Sequence, residues 1–211
     1  MRLILLLSIS LIITPYITRA QLEQTHRFEL EKKNTDNYFS VLSAGKEGVV
    51  IFRDTDDYKK GEGNEWQVVA LDTTLQEKWE IEMSIDLDYI FKGYELAYGH
   101  LYLLFRTGEY IKSDYHLVAI DINDGTVDRY DIPNEIEMYP SHMIIFEDKL
   151  ILGAYVKKAP TLFSYTFGTN KMEVVKGFFK DKTELVDLND NGNGTFNTVT
   201  LEKDYTGSFL K

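Results

Sequence analysis

Apolar and polar residues alternate with a period of two over short stretches along most of the chain, and turn-forming residues separate the stretches. Residues 65–81, EWQVVALDTTLQEKWEI, show this most clearly: one run ends at Asp72, a polar turn covers Thr73–Glu77, and a second run covers Lys78–Ile81. Such alternation, bounded by Gly, Asn, Asp and Pro, predicts β-strands, because successive strand side chains point to opposite faces. The same strand–turn–strand form returns at 115–132, YHLVAIDINDGTVDRYDI, and more loosely at 161–175, TLFSYTFGTNKMEVV. Asp72 and Asp121 stand 49 residues apart in it, and Thr166 takes the same place 45 residues later. A period of about 45–50 residues built from short strands is the signature of propeller blades.

Taken in order, the strands group into fours. The first unit, about 38–84, has strands at 38–45, 49–54, 65–72 and 78–84, with a tight turn at 45–48 and a long polar loop at 55–64. The second, about 89–132, has strands at 89–98, 101–107, 115–121 and 126–132, and ends before Pro133, which cannot donate to a ladder. The third, about 141–179, has strands at 141–146, 149–156, 161–167 and 171–179, with a short loop at 157–160. A partial fourth, 184–211, has strands at 184–188 and 195–203 around a turn at 189–194, and a third strand opening at 208. His26–Leu30 alternates briefly and predicts a leading strand that closes a ring. No stretch carries a helical period of any length. The expected fold is therefore all-β, a β-propeller of four-stranded antiparallel blades with about three and a half blades in this chain. Rings hold roughly 4–8 blades, and half a sheet leaves an aggregation-prone edge. The chain is accordingly expected to be an incomplete propeller, a piece of a longer protein.

The first twenty residues read differently. Arg2 precedes an apolar run from Leu3 to Ile13, Pro15 breaks any helix, and Thr18-Arg19-Ala20 forms a small-x-small site. This predicts a signal peptide over 1–20 and a propeller domain over 21–211. The apolar run is shorter than the ~20 residues that span a bilayer, and no other window approaches a transmembrane helix. The chain has no cysteine, which excludes a lipid-modified cysteine and any disulfide. Export without cysteine fits a periplasm or outer envelope. The net charge of −11 becomes −13 once Arg2 and Arg19 are removed with the leader. Such a surface repels nucleic acid and anionic lipid.

The segments at the third-to-fourth strand turns resemble the repeats of quinoprotein-like (PQQ-type) propellers, which carry Ala-x-Asp, a Thr-Gly turn and then Trp. ALDTTLQEKW (70–79) supplies Ala70, Asp72 and Trp79, with Leu75-Gln76 in place of Thr-Gly. AIDINDGTVDRY (119–130) supplies Ala119, Asp121 and Gly125, with Tyr130 in place of Trp. The resemblance implies a packing device that docks neighbouring blades, similar to that of many secreted bacterial propellers. It transfers no cofactor ligand to this chain.

Candidate chemistry is sparse. Asp187, Asn189 and Asn191, followed by Gly192, match the first half of a calcium loop, D-x-[DN]-x-[DN]-G. The twelfth position is Thr198 rather than the bidentate Glu of an EF-hand, and the segment sits where the other units place a hairpin turn, so a plain turn is the favoured reading. Asp54, Asp56, Asp57, Glu62 and Glu65 cluster around the loop 55–64 with Lys59 and Lys60, a mixture that reads as solvated. That loop is the longest between strands and the expected place of partner contact. His26, His100, His116 and His142 show no metal spacing, and no Gly-x-Ser-x-Gly elbow occurs. The aromatic strand positions Trp66, Trp79, Phe91, Tyr94, Tyr98, Tyr102, Phe105, Tyr115, Phe163, Tyr165 and Phe167 read as packing between blades. The alternative is a sugar-stacking row, which requires several of them exposed along one rim. The expected function is a binding or scaffold module of the cell envelope with a protein or carbohydrate partner, no cofactor and no nucleic acid. The alternative is a quinoprotein-like or carbohydrate-active enzyme with its site at the channel mouth. A calcium-stabilised adhesion protein using 187–193 is a third possibility.

Overall fold

A computed structural model describes residues 26–33, 37–169, 171–177, 182–203 and 208–210. The expected signal peptide, the segment 204–207 and Phe178-Phe179 lie outside the described residues. Contacts divide the chain into residues 1–31 and residues 32–211. In the first unit the described residues form no strand, so the expected leading strand at His26–Leu30 is not formed there. Arg27 and Glu29 pair with each other in that stretch.

All the sheets belong to the second unit, and all are antiparallel with neighbours in chain order. The first holds β1 (Ser40–Ser43), β2 (Val49–Lys59), β3 (Gly63–Leu71) and β4 (Glu77–Ile85). The second holds β5 (Ile90–Ala97), β6 (His100–Arg106), β7 (Tyr115–Asp121) and β8 (Val127–Ile132). The third holds β9 (Tyr139–Phe146), β10 (Lys149–Val156), β11 (Ala159–Thr166) and β12 (Met172–Val175). The fourth holds β13 (Thr183–Asp190), β14 (Phe196–Lys203) and β15 (Ser208–Leu210). The chain is thus all-β, and no α-helix occurs among the described residues.

Period-two patterning explains how the sheets pack. On β6 and β7, Leu101, Leu103, Phe105, Val118 and Ile120 turn one way and meet Val50, Phe52, Trp66, Val68, Met83 and Ile85 of the first sheet. The intervening residues Tyr102, Leu104, Leu117 and Ala119 turn the other way and meet Ile145, Leu150, Leu152 and Phe163 of the third. Both faces of the second sheet are therefore buried, which is why its two central strands are almost wholly apolar. A smaller cluster joins Ile144, Ile151 and Leu162 of the third sheet to Leu185 and Leu188 of the fourth. At about 1.5–3 kcal/mol for each fully buried large apolar side chain, these three interfaces hold the stack together. Between neighbouring sheets, β5 lies against β9, and β13 lies against β9 and β11.

Tight turns close the strands. Asp72 Oδ1 accepts from the Thr74 and Gln76 amides at 2.7 and 2.9 Å, and Asp121 Oδ1 accepts from the Asn123 amide at 2.7 Å. These carboxylates mimic a backbone turn, the usual role of Asp at such a place. Trp79 Nε1 donates to Ile122 O at 3.1 Å, and a Cβ on Gly125 would lie 3.1 Å from its ring, so the first sheet docks on the turn of the second.

Several boundaries differ from expectation. The polar loop at 55–64 is mostly strand: β2 continues through Lys59 and β3 begins at Gly63, with the pairing shifted between Asp54 and Tyr58. Buried Thr55 explains this, since its hydroxyl donates to Glu65 O at 2.9 Å and ties the two strands together. The expected loop at 157–160 is a two-residue turn. Lys157 and Lys158 take φ of 49° and 75°, as a type I′ hairpin needs, and Pro160 already pairs with Tyr155. β13 runs on to Asp190, so the last hairpin turns at 191–195.

Candidate functional site on the first-strand face

The first strands of the second, third and fourth sheets share a defect in their ladders. On β5, Phe91 faces Phe105 and Gly93 faces Leu104, which leaves Lys92 as an extra residue. On β9, Pro140 faces Ala154 and His142 faces Gly153, leaving Ser141. On β13, Leu185 faces Thr200 and Asp187 faces Val199, leaving Val186. In the first sheet, by contrast, the β1–β2 ladder is regular from Ser40 to Ser43, and before it the Asn37 amide reaches Asp54 O at 3.3 Å. A bulge of this kind re-aims side chains and bends the strand. On β5 it puts Phe91 and Tyr94 on one face, although they are three apart, and Gly93 and Glu95 on the other.

Two clefts open beside β5, each of about 280 Å³. One lies between the first and second sheets and is lined by Asn37, Tyr38, Ser40, Arg53, Asp54 and Phe91 over a floor of Phe52 and Trp66. The other lies between the second and third sheets, with Phe91–Tyr94 on one wall, Pro140–Met143 on the opposite wall, and Leu104 and Leu152 below. Phe91 lines both. It packs on Trp66 and Phe105 at ring distances of 5.2 and 5.6 Å, and Tyr94 meets Phe52 at 5.2 Å.

These rings correct one expectation. Phe91 and Tyr94 pack between sheets on one side only and stay 37% and 41% exposed. Tyr98 is 55% exposed; it sits in a turn and its hydroxyl donates to Asp190 of the fourth sheet. Trp66, Tyr102, Phe105, Tyr115, Phe163 and Tyr165 are buried as expected. Tyr38 and Tyr139, which the alternation did not single out, add exposed rings beside the two clefts.

The charges around the clefts are unusual for so acidic a chain. Arg53 donates from Nε to Gln67 Oε1 at 2.8 Å and lies over the Phe39 ring at 4.3 Å. Burial, ahead of the neighbouring Asp56, holds the Asp54 carboxyl above its ordinary range, although the Asp56 amide donates to it. Burial alone raises Glu95. Burial, and then the Arg106 guanidinium, hold the Lys92 ammonium below the usual lysine range. Arg106 itself donates to Gly108 O at 2.7 Å and Glu109 O at 2.8 Å. Across the second cleft, Ser141 Oγ donates to Gly153 O at 3.2 Å and lies 3.0 Å from His142 Nδ1. His142 Nε2 sits 3.1 Å from Val186 O, and because a carbonyl only accepts, this nitrogen carries the hydrogen. The imidazole thus ties the bulge of β9 to that of β13.

The residues singled out for calcium lie elsewhere, on the last hairpin. Asp187 Oδ1 accepts from the Leu188 amide at 2.9 Å, and its Oδ2 accepts from Asn189 Nδ2 at 2.5 Å. Asn191 donates to Thr195 Oγ1 at 3.0 Å and accepts from Asn197 at 2.9 Å. Among the described residues no three His, Cys, Asp or Glu side chains gather as a metal site. The acidic cluster around residue 57 lies on the β2–β3 ribbon, where Lys33 binds Asp57 at 2.5 Å. His100 opens β6 rather than lying in a turn, and His116 Nδ1 lies 2.7 Å from Asp131 Oδ1. No protein-family model and no curated protein matches the chain. Among the described residues no helix is long and apolar enough to cross a membrane.

Proposed function

We propose that the chain is a propeller-type binding module of the cell envelope that takes its ligand on the face made by the first strands of its sheets. One observation carries this reading: β5 lies against β9 and β9 against β13, and the clefts flanking β5 share Phe91. Face-to-face sheets whose first strands lie together are what a propeller arc requires. Exposed rings beside backbone and side-chain donors offer an apolar platform with polar anchors, the usual make-up of a binding cleft. Lys92, Ser141 and Val186 are 49 and 45 residues apart, the spacings of Asp72, Asp121 and Thr166, which supports a repeating unit. The leader-like residues 1–20 support export.

A ligand-observed NMR screen of envelope saccharides and short peptides tests the reading. Ligands that bind the parent protein are expected to lose their signal with Phe91→Ala. Binding that survives Phe91→Ala and Tyr94→Ala unchanged would place the site elsewhere and overturn the proposal.

A further inference from the structure

We propose that the cleft between β5 and β9 binds a small organic carboxylate, with Lys92 as its counter-ion and the apolar walls holding its body. The inference rests on the reading of the first-strand face as a binding surface and specifies the ligand of one of its clefts.

The chain carries a formal charge of −11, with 34 acidic residues against 23 basic ones. Among the described residues neither Lys92 nor Arg106 forms an ion pair, and the charged group acting on Lys92 is Arg106, a second cation. Arg106 is 9% exposed and spends its donors on two carbonyl oxygens. Lys92, exposed and only partly desolvated at the cleft wall, therefore has a second cation beside it. Both conditions favour an anion brought in from outside.

The strand geometry accounts for the lysine. Phe91 faces the first sheet, so Lys92 after it turns towards the third, and the bulge keeps Gly93 on that side too; Lys92 lines the cleft together with Phe91, Gly93 and Tyr94. The facing wall carries Ser141 and His142, whose hydroxyl and Nε2 hydrogens already go to Gly153 O and Val186 O, and the rest is apolar: Leu104, Pro140, Met143 and Leu152. One free ammonium over a mainly apolar cleft suits a monoanion on an apolar body. A phosphate would call for several donors in place of these walls. The volume, about 280 Å³, is that of about nine liquid waters at ~30 Å³ each, enough for about ten non-hydrogen atoms. It lies at the lower end of small-molecule sites, which run roughly from 300 to 1,000 Å³.

Isothermal calorimetry with the full chain and three probes tests the proposal: octanoate, its neutral isostere octanamide, and inorganic phosphate. Octanoate is expected to bind at least about tenfold more tightly than either of the others, the factor a charge-assisted hydrogen bond supplies. Lys92→Met, at an exposed edge-strand position, is expected to weaken octanoate about tenfold with an unchanged circular dichroism spectrum. Gly93→Leu, which fills the cleft in front of Met143 Sδ, is expected to abolish binding. Absence of octanoate binding overturns the proposal. So does equal binding of octanamide, equal binding of phosphate, or an unchanged affinity in Lys92→Met. Should octanoate fail while other ligands still depend on Phe91, the carboxylate assignment falls and the first-strand face stands. Should both fail, both fall.

Discussion

Replacing Gly153 with alanine will destabilise the protein by crowding the smallest of its three sheet interfaces. Gly153 sits in β10 between Leu162 on one side and His142 on the other. A Cβ built there lies 2.5 Å from Leu185 Cδ2 and 3.4 Å from His142 Cβ, so the Leu185 side chain must move. Leu185 is 3% exposed and packs among Ile144, Ile151, Leu162 and Leu188, so its movement disturbs that cluster. Overpacking of this kind costs about 1–3 kcal/mol. Against it stands the gain from removing a flexible glycine from a strand interior, about 0.5–1 kcal/mol, because Gly153 has no positive φ that alanine would strain. At mid-range the net loss is about 1 kcal/mol. In urea, with an m-value near 2 kcal/mol/M, the midpoint falls by about 0.5 M. Far-UV circular dichroism is the proper probe, since both tryptophans lie in the first sheet, remote from the change. Leu185→Val in the same background opens room for the new methyl, so the double variant loses less than the sum of the two single losses, by about 0.5 kcal/mol or more. A neutral or stabilising Gly153→Ala, or strict additivity with Leu185→Val, would refute the packing of the third sheet on the fourth.

Three further outcomes follow from the same geometry. Tyr115 is buried, its hydroxyl is pushed up to about 12 by burial, and it has no hydrogen-bond partner among the described residues. Tyr115→Phe is therefore expected to stabilise by up to about 1 kcal/mol, read as a melting-temperature rise of ~2–4 °C; a comparable loss would mean that the hydroxyl holds a buried water. The Glu95 carboxyl is raised by burial, so in the window above the ordinary glutamate value of about 4.3 the native state holds a proton that the unfolded state has released, and stability falls as pH rises through that window. Glu95→Gln accordingly stabilises at pH 7 and has no effect below about pH 4; a gain that persists at pH 3 would contradict the assignment. Calcium is expected to leave the melting temperature unchanged, because the Asp187 and Asn191 oxygens already accept hydrogen bonds within their hairpin. A rise with saturating calcium, as native-state binding requires, would contradict this.

Local chemistry made much of the sheet order legible in the sequence. Leu101–Phe105 and Leu117–Ile120 are buried on both faces, so they read as strands whatever lies around them, and Asp72 and Asp121 announce their own turns through side-chain bonds to the next residues. The ribbon at 55–64 misled because its pairing depends on the buried Thr55 hydroxyl, which no alternation of TDDYKK reveals. The first-strand face was hidden for a different reason. Its bulges shift the alternation by one, and the sequences around them, FKGY, PSHM and LVDL, have nothing in common. That Lys92 forms no ion pair among the described residues is a three-dimensional fact, since the facing wall of its cleft is Pro140, Ser141, His142 and Met143.

The proposed binding face lies at the first strands and not at the loops joining the outer ones. Two-dimensional amide NMR during a titration with octanoate distinguishes the two. Shifts are expected to concentrate at 91–94 and 140–143, with the β3–β4 and β7–β8 turns at 72–76 and 122–126 unmoved. Shifts confined to those turns, or spread evenly over the sheets, would contradict that placement.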